Sequence, residues 1–127
     1  MTPTDPIAPI GPKRDAQVAR EVLGWTRVEH DDVGAVGVPP TEQKLRRRLR
    51  VSTNSATALD VLLRYCRERS LRYVLRGLWE GRDEHWCGLD EDQWADANPL
   101  WSASGTTPAD AITHALILAA REKEARR

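Results

Sequence analysis

A short basic segment is the clearest chemical feature of this sequence. The run KLRRRLR spans residues 44–50, and residues 52–55 that follow it are all of types that favour helix starts. Guanidinium groups bind phosphate oxygens in pairs, and the free N–H groups of a helix start favour anions. This combination predicts a site for a phosphorylated ligand. Its predicted ligand-binding residues are Arg46, Arg47, Arg48, Arg50, Ser52 and Thr53.

The same segment has a second interpretation as ordinary protein surface. Leu45 and Leu49 lie among the basic residues and would dock on the core, which leaves the guanidinium groups in solvent. Arginine is also abundant throughout the chain, at 16 of the 19 basic residues. Arginine abundance alone is therefore poor evidence for phosphate binding, and both interpretations stay open.

Five of the seven aromatic residues are tryptophans, and the chain has no phenylalanine. Trp25 and Trp79 are predicted to be core residues. Trp101 is the aromatic residue predicted to stack on a bound ligand. The alternative is that Trp86 or Trp101 is a core residue. Trp94 lies in an acidic stretch and is predicted to be exposed in a loop or at an interface.

Acidic residues cluster in the second half of the chain and raise the question of a metal site. The run DED at residues 90–92 lacks the glycine and the ligand spacing of an EF-hand. His85 and Cys87 are two residues apart, and no CxxC or HxxxH spacing of a zinc site occurs. There is also no glycine-rich phosphate loop and no nucleophile elbow. We therefore predict no metal, no cofactor and no catalytic residues.

Charge is unevenly distributed along the chain, although the formal net charge is zero. Residues 44–76 contain ten basic and two acidic residues, a net charge of +8. Residues 80–96 contain seven acidic residues and one basic residue, a net charge of −6. Such a charge dipole favours an anionic partner at one end or head-to-tail self-association.

The length of 127 residues fits one domain. Four prolines within residues 1–12 predict a flexible tail, followed by a single domain over residues 13–127. Two cysteines do not make a secreted disulfide framework, and no run of 18 apolar residues occurs. A cytoplasmic location without membrane contact is the expectation.

Hydrophobic periodicity predicts an α+β fold, with a three-stranded antiparallel sheet packed by about three helices in a layered α/β/α arrangement. Residues 26–43 are rich in glycine and proline and are predicted to form a loop, with room for a short edge strand. Thr107 and Pro108 mark the start of the last helix, and Asp110 completes a capping box. The other predicted helices cover residues 14–23 and 55–69, and the predicted strands cover residues 71–79, 85–89 and 100–104.

Three stretches together resemble the phage ABA sandwich domain family of small phage and prophage proteins. They are DAQVAREVLGW at residues 15–25, RVSTNSATALDVLLRYC at residues 50–66 and SGTTPADAITHALILAA at residues 104–120. The resemblance covers most of the chain, in order. It implies a layered α/β/α arrangement and a phage setting, and it implies no catalytic residues.

These observations predict a non-catalytic phage accessory protein that acts by binding. In one version it counters host defence by sequestering a nucleotide-type immune signal, and tight capture by so small a domain favours a site enclosed in a homo-oligomer. In the other version it inhibits a host protein through a charged, tryptophan-containing surface. Nucleic-acid binding is a weaker alternative, because the net charge is zero.

Overall fold

The computed structural model describes residues 5–42, 45–77, 84–91 and 99–125. Within these ranges the chain forms three α-helices and two three-stranded antiparallel sheets, which confirms the predicted α+β class. The elements are α1 (Pro12–Gln17), which continues as a π-helix over Val18–Val22, then β1 (Thr26–His30), β2 (Ala35–Val38), β3 (Arg47–Leu49), α2 (Ser55–Arg69), β4 (Arg72–Gly77), β5 (His85–Asp90), β6 (Trp101–Gly105) and α3 (Pro108–Ala125).

The second sheet, in the order β4–β5–β6, is the three-stranded sheet that the sequence predicts. Its central strand β5 pairs along its whole length with β4, and the row Tyr73–Leu89–Trp101 runs across all three strands. Helix α3 packs against β5 and β6, and α2 packs on α3. The buried apolar side chains of these elements form one core with those of the first sheet.

The first sheet corrects the prediction of a loop over residues 26–43. Strands β1 and β2 lie within that range and form an antiparallel hairpin, and β3 adds from the basic segment in the order β1–β2–β3. The side chain of Asp31 closes the hairpin turn by accepting hydrogen bonds from the N–H groups of Val33 and Gly34, at 2.9 and 3.1 Å. Short strands that alternate with glycine and proline carry a weak sequence signal, so pairing between strands decides their structure.

The helices begin and end as local chemistry predicts. Asn54 caps α2 by accepting from the N–H of Thr57, and Thr107 accepts from the N–H of Asp110 at the start of α3. Gly24, predicted to end the first helix, has a φ of +70°, a left-handed conformation that suits glycine. The π-helical turn before it was not predicted.

Residues 5–11 lie against the domain. The Ala8 N–H donates to Gln17 Oε1 at 2.9 Å, and the Ala8 carbonyl accepts from Arg14 Nε at 2.7 Å. Arg121, near the end of α3, donates to the Asp5 carbonyl and pairs with Glu21. The division of the chain into a tail over residues 1–12 and a domain over residues 13–127 stays a prediction, and these hydrogen bonds tie the end of that segment to the domain.

Candidate binding surfaces

The basic segment lies on β3, at one edge of the first sheet, and its guanidinium groups are exposed. Each guanidinium of its central triplet is paired with a carboxylate of the same sheet or its connections. Arg48 forms a two-pronged pair with Asp31, at 2.7 and 2.9 Å between nitrogen and oxygen. Arg47 does the same with Glu42, at 2.6 and 3.1 Å, and Arg46 reaches Glu29 at 3.4 Å.

These pairs change the electrostatics of the segment. Hydrogen bonding to Arg48 lowers the pKa of Asp31, and hydrogen bonding to Arg47 lowers the pKa of Glu42. Both carboxylates are therefore charged near neutral pH, and they offset much of the positive charge of the segment. A phosphate that bound here would compete with them for the same donors. Arg50 is exposed and forms no ion pair with any residue that the structure describes.

A groove beside this segment is shallow and open to solvent. Its lining carries charges of both signs, which does not favour a multiply charged anion. The lining residues are Glu29, His30, Asp31, Val36 and Arg46.

A carboxylate of the chain itself accepts hydrogen bonds from the backbone just before α2. Ser52, predicted to bind the ligand, is buried, and its N–H donates to Asp15 Oδ1 at 2.7 Å. The N–H of Val51 donates to the same oxygen at 3.2 Å. The Ser52 hydroxyl exchanges hydrogen bonds with the backbone of Gly11. Thr53 is exposed. Of the residues predicted to bind the ligand, Ser52 therefore already has an internal carboxylate as the acceptor of its N–H group.

Trp101 is buried, so its ring offers no open face on which a ligand could stack. It is 3% exposed, on β6, and its indole N–H donates to Glu122 Oε2 at 2.6 Å. Of the other tryptophans, Trp25 is half-buried against the core as predicted. Trp86 is half-buried with its ring against Gly88, where a Cβ would lie 2.6 Å from the ring. The predictions for Trp79 and Trp94, and those for the turn and acidic loop around them, lie outside the described residues.

Helix α2 and strand β4 each expose apolar side chains. Tyr73 and Leu75 lie on one face of β4, opposite the buried Leu89 and Cys87 of β5. The alternation of apolar and charged residues along β4 is typical of a strand with one buried face, but both side chains are 40% exposed. The difference arises because α3 packs on β5 and β6, whereas β4 is the outer strand.

Helix α2 contributes a second pair of exposed apolar side chains, Leu59 and Leu63, each 37% exposed. Cys66 lies on the same flank of the helix, at the i, i+4, i+7 spacing. Burial, and to a lesser extent Cys66, raises the pKa of the Cys87 thiol to about 12. Leu75 is directly opposite Cys87, and α2 is joined to β4 through Ser70 and Leu71. We call Leu59, Leu63, Tyr73 and Leu75 the α2–β4 surface.

Arginines are frequent in the chain segment that includes Tyr73 and Leu75. Residues 64–76 contain five arginines and one acidic residue, a net charge of +4. Arg76 lies over the Trp86 ring at 5.2 Å, and Arg69 lies over Tyr65 at 4.0 Å. Neither Arg72 nor Arg76 forms an ion pair within the described parts of the chain. Arg72 and Arg76 lie on the face of β4 opposite Tyr73 and Leu75, so this strand is apolar on one face and positively charged on the other.

The backbone of β4 is also available for pairing. One edge of β4 pairs with β5, and no strand among the described residues pairs with the other edge. A strand edge of this kind carries N–H and C=O groups that can pair with another chain. Sequence reasoning assigned β4 correctly but missed this surface, because only the position of α3 reveals which strand is left uncovered.

The described residues offer little for catalysis or metal binding. No group of three or more histidine, cysteine or acidic residues in the described ranges could hold a metal ion. Both cysteines are buried, and burial raises the pKa of Cys66 to about 11. A thiol that stays protonated is a poor nucleophile. No helix in the described part of the chain combines the length and the hydrophobicity needed to cross a bilayer.

A comparison of the chain with protein-family models and with curated proteins finds no match.

Proposed function

We propose that this chain is a non-catalytic binding protein that contacts a partner protein through the α2–β4 surface. The observation that carries this proposal is that β4 combines two exposed apolar side chains with a backbone edge that no described strand pairs, while two more exposed leucines lie on the preceding helix α2. In the phage setting that the sequence resemblance implies, the partner would be a host protein, and binding would inhibit it.

The composition of the surface suits a protein partner. Exposed apolar patches rimmed by polar residues are typical of protein interfaces, and arginine and tyrosine are common anchors within them. Free strand edges are a recurring site of peptide recognition. The arginines of residues 64–76 would attract an acidic partner and speed association, because complementary charge steers encounter.

Capture of a phosphorylated small molecule stays a prediction with less support. It would use Arg46, Arg47, Arg48 and Arg50 of the basic segment, and three of these are already paired with carboxylates. Ser52 and Trp101, predicted as further ligand contacts, are buried and hydrogen-bonded within the domain. The same pairing reduces the positive charge available to nucleic acid.

Site-specific cross-linking tests the proposal. We would place the photo-reactive residue p-benzoylphenylalanine at position 73 on the α2–β4 surface and, as a control, at position 33, where Val33 is 50% exposed in the turn of the first sheet. Irradiation in bacterial cells should give a defined protein adduct from position 73 and none from position 33. The cross-linked protein would then be purified and its affinity measured directly.

Surface variants make that affinity measurement decisive. Leu63→Lys and Leu75→Lys should weaken binding of the purified partner, whereas Val33→Lys should leave it unchanged. Circular dichroism establishes that each variant is folded. Equal binding by all three variants, or no adduct from position 73, would contradict the proposal.

A further inference from the structure

We propose that the partner contributes an extended, acidic segment that adds to the free edge of β4 as a fourth strand of the second sheet. This inference rests on the proposed function and names the chemistry of its partner. It is carried by the alternation of side chains along β4 and by the charge around it.

The backbone of β4 can accept a further strand. In an antiparallel pair, every second residue of a strand directs its N–H and C=O groups to one neighbour, and the residues between direct theirs away. β4 has six residues and one partner among the described residues, so alternate residues present their backbone groups outward. An incoming strand would satisfy these groups, and the second sheet would grow from three strands to four.

The side chains of β4 specify what that strand should look like. Tyr73 and Leu75 occupy the face of β4 that continues the buried face of Leu89 and Cys87 in β5, while Arg72 and Arg76 occupy the opposite face. Directly opposite residues of an antiparallel pair lie on the same face and interact. An added strand should therefore place apolar side chains opposite Tyr73 and Leu75, and carboxylates opposite Arg72 and Arg76. The predicted pattern is acidic, apolar, any residue, apolar, acidic.

The same charges disfavour a second copy of this chain at the edge. With two copies of Val74 opposite each other, Arg72 of one copy would face Arg76 of the other. Like charges directly opposite destabilise a strand pair. The net charge of +4 over residues 64–76 would also repel its equivalent in the second copy. An acidic strand removes both penalties.

Synthetic peptides test the inference directly, because binding of a short strand requires no purified partner. The probe is the fluorescein-labelled peptide Ser-Glu-Val-Thr-Val-Glu-Ser, and the first comparison peptide carries Lys in place of both Glu. Two further peptides are N-methylated at alternate residues, in opposite phases. Binding to the full chain is followed by fluorescence anisotropy up to millimolar peptide.

Binding should depend on the charge of the peptide and on which set of alternate residues is N-methylated. The Glu peptide should bind about tenfold more tightly than the Lys peptide, since two cross-strand ion pairs separate them. One N-methylated peptide should lose binding and the other should keep it, because only one phase turns its amides toward β4. Arg72→Glu/Arg76→Glu should reverse the charge preference, while Lys13→Glu/Arg20→Glu, a matched reversal of two residues on the first helix, should not.

Three results would overturn the inference. They are equal affinity for the Glu and Lys peptides, equal affinity for both methylation phases, and a stable dimer of the unbound chain in light scattering that Leu75→Lys dissociates. A protein adduct from position 73 together with any of these results would keep the proposed function and remove strand addition. Absence of both the adduct and peptide binding would remove both proposals.

Discussion

Asp15 accepts a hydrogen bond from the backbone N–H of Ser52 at 2.7 Å. The two residues are 37 positions apart in the sequence, and the contact lies inside the domain. This contact joins the first helix to the segment that leads into α2. Ser52 was predicted to bind a phosphorylated ligand, and its N–H group instead has an internal carboxylate as its acceptor. Both partners are almost completely buried, so the contact is part of the fold.

Removal of the Asp15 carboxylate should destabilise the domain. Asp15→Ala leaves the N–H groups of Val51 and Ser52 without their acceptor, and each unsatisfied buried donor costs about 1–3 kcal/mol. We expect the free energy of unfolding, measured by urea denaturation, to fall by more than it does in Asp15→Asn, which keeps one acceptor oxygen. Asp32→Ala, at an exposed turn residue, serves as the control. A loss no larger than that of the control would contradict this role.

The ion pair between Arg14 and Asp110 should show strong energetic coupling. The two side chains are 7% and 17% exposed, and Arg14 also donates to the Ala8 carbonyl. Loss of one partner leaves a buried charge uncompensated, which costs about 3–5 kcal/mol. Asp110→Asn should therefore lower the free energy of unfolding far more in the wild-type background than in an Arg14→Met background.

A surface pair provides the matched comparison for that cycle. Arg64 and Asp60 lie one helical turn apart on α2, and both side chains are well exposed. The same double-mutant cycle on this pair should give little coupling, because solvent screens exposed charges. Similar coupling in the two cycles would show that burial of the Arg14–Asp110 pair has no energetic consequence.

The basic segment should bind anions better once its own carboxylates are neutralised. In Asp31→Asn/Glu42→Gln, the guanidinium groups of Arg48 and Arg47 lose their charged partners while the turn at Asp31 keeps an acceptor. We expect inorganic pyrophosphate to bind the variant severalfold more tightly than the wild type in calorimetry. Arg47→Glu/Arg48→Glu should abolish that gain. Tight binding by the wild type, lost in the arginine variant, would instead support a phosphate site as the sequence predicts.

His114 should make the stability of the domain dependent on pH near neutrality. Burial, and then the charge of Arg14, lower the pKa of His114 below its ordinary value of 6.5 in the folded state. The unfolded chain therefore binds the proton more readily, and stability should fall as pH drops through the unfolded pKa. Between about pH 7.5 and about pH 5.5, the wild type should lose more free energy of unfolding than His114→Gln. Parallel pH profiles of the two proteins would count against this effect.

Much of the fold was predictable because its signals are local. Helix α2 begins and ends at the predicted residues, and Thr107 and Pro108 mark the start of α3, because capping residues and apolar periodicity act within one or two turns. Strands β4, β5 and β6 follow the alternation of their own side chains. The first sheet was missed because its three short strands depend on one another for their hydrogen bonds.

The same difference between local signals and long-range contacts applies to the candidate surfaces. The sequence by itself determined that this chain carries a concentrated positive charge, an alternating strand at residues 72–77 and well-capped helices. Only the tertiary structure decided that Arg47 and Arg48 meet Glu42 and Asp31, and that Asp15 reaches Ser52. It also decided that Tyr73 and Leu75 stay exposed, because α3 covers the neighbouring strands. Charge and periodicity are properties of a segment, whereas pairing and exposure depend on residues that folding brings from elsewhere in the chain.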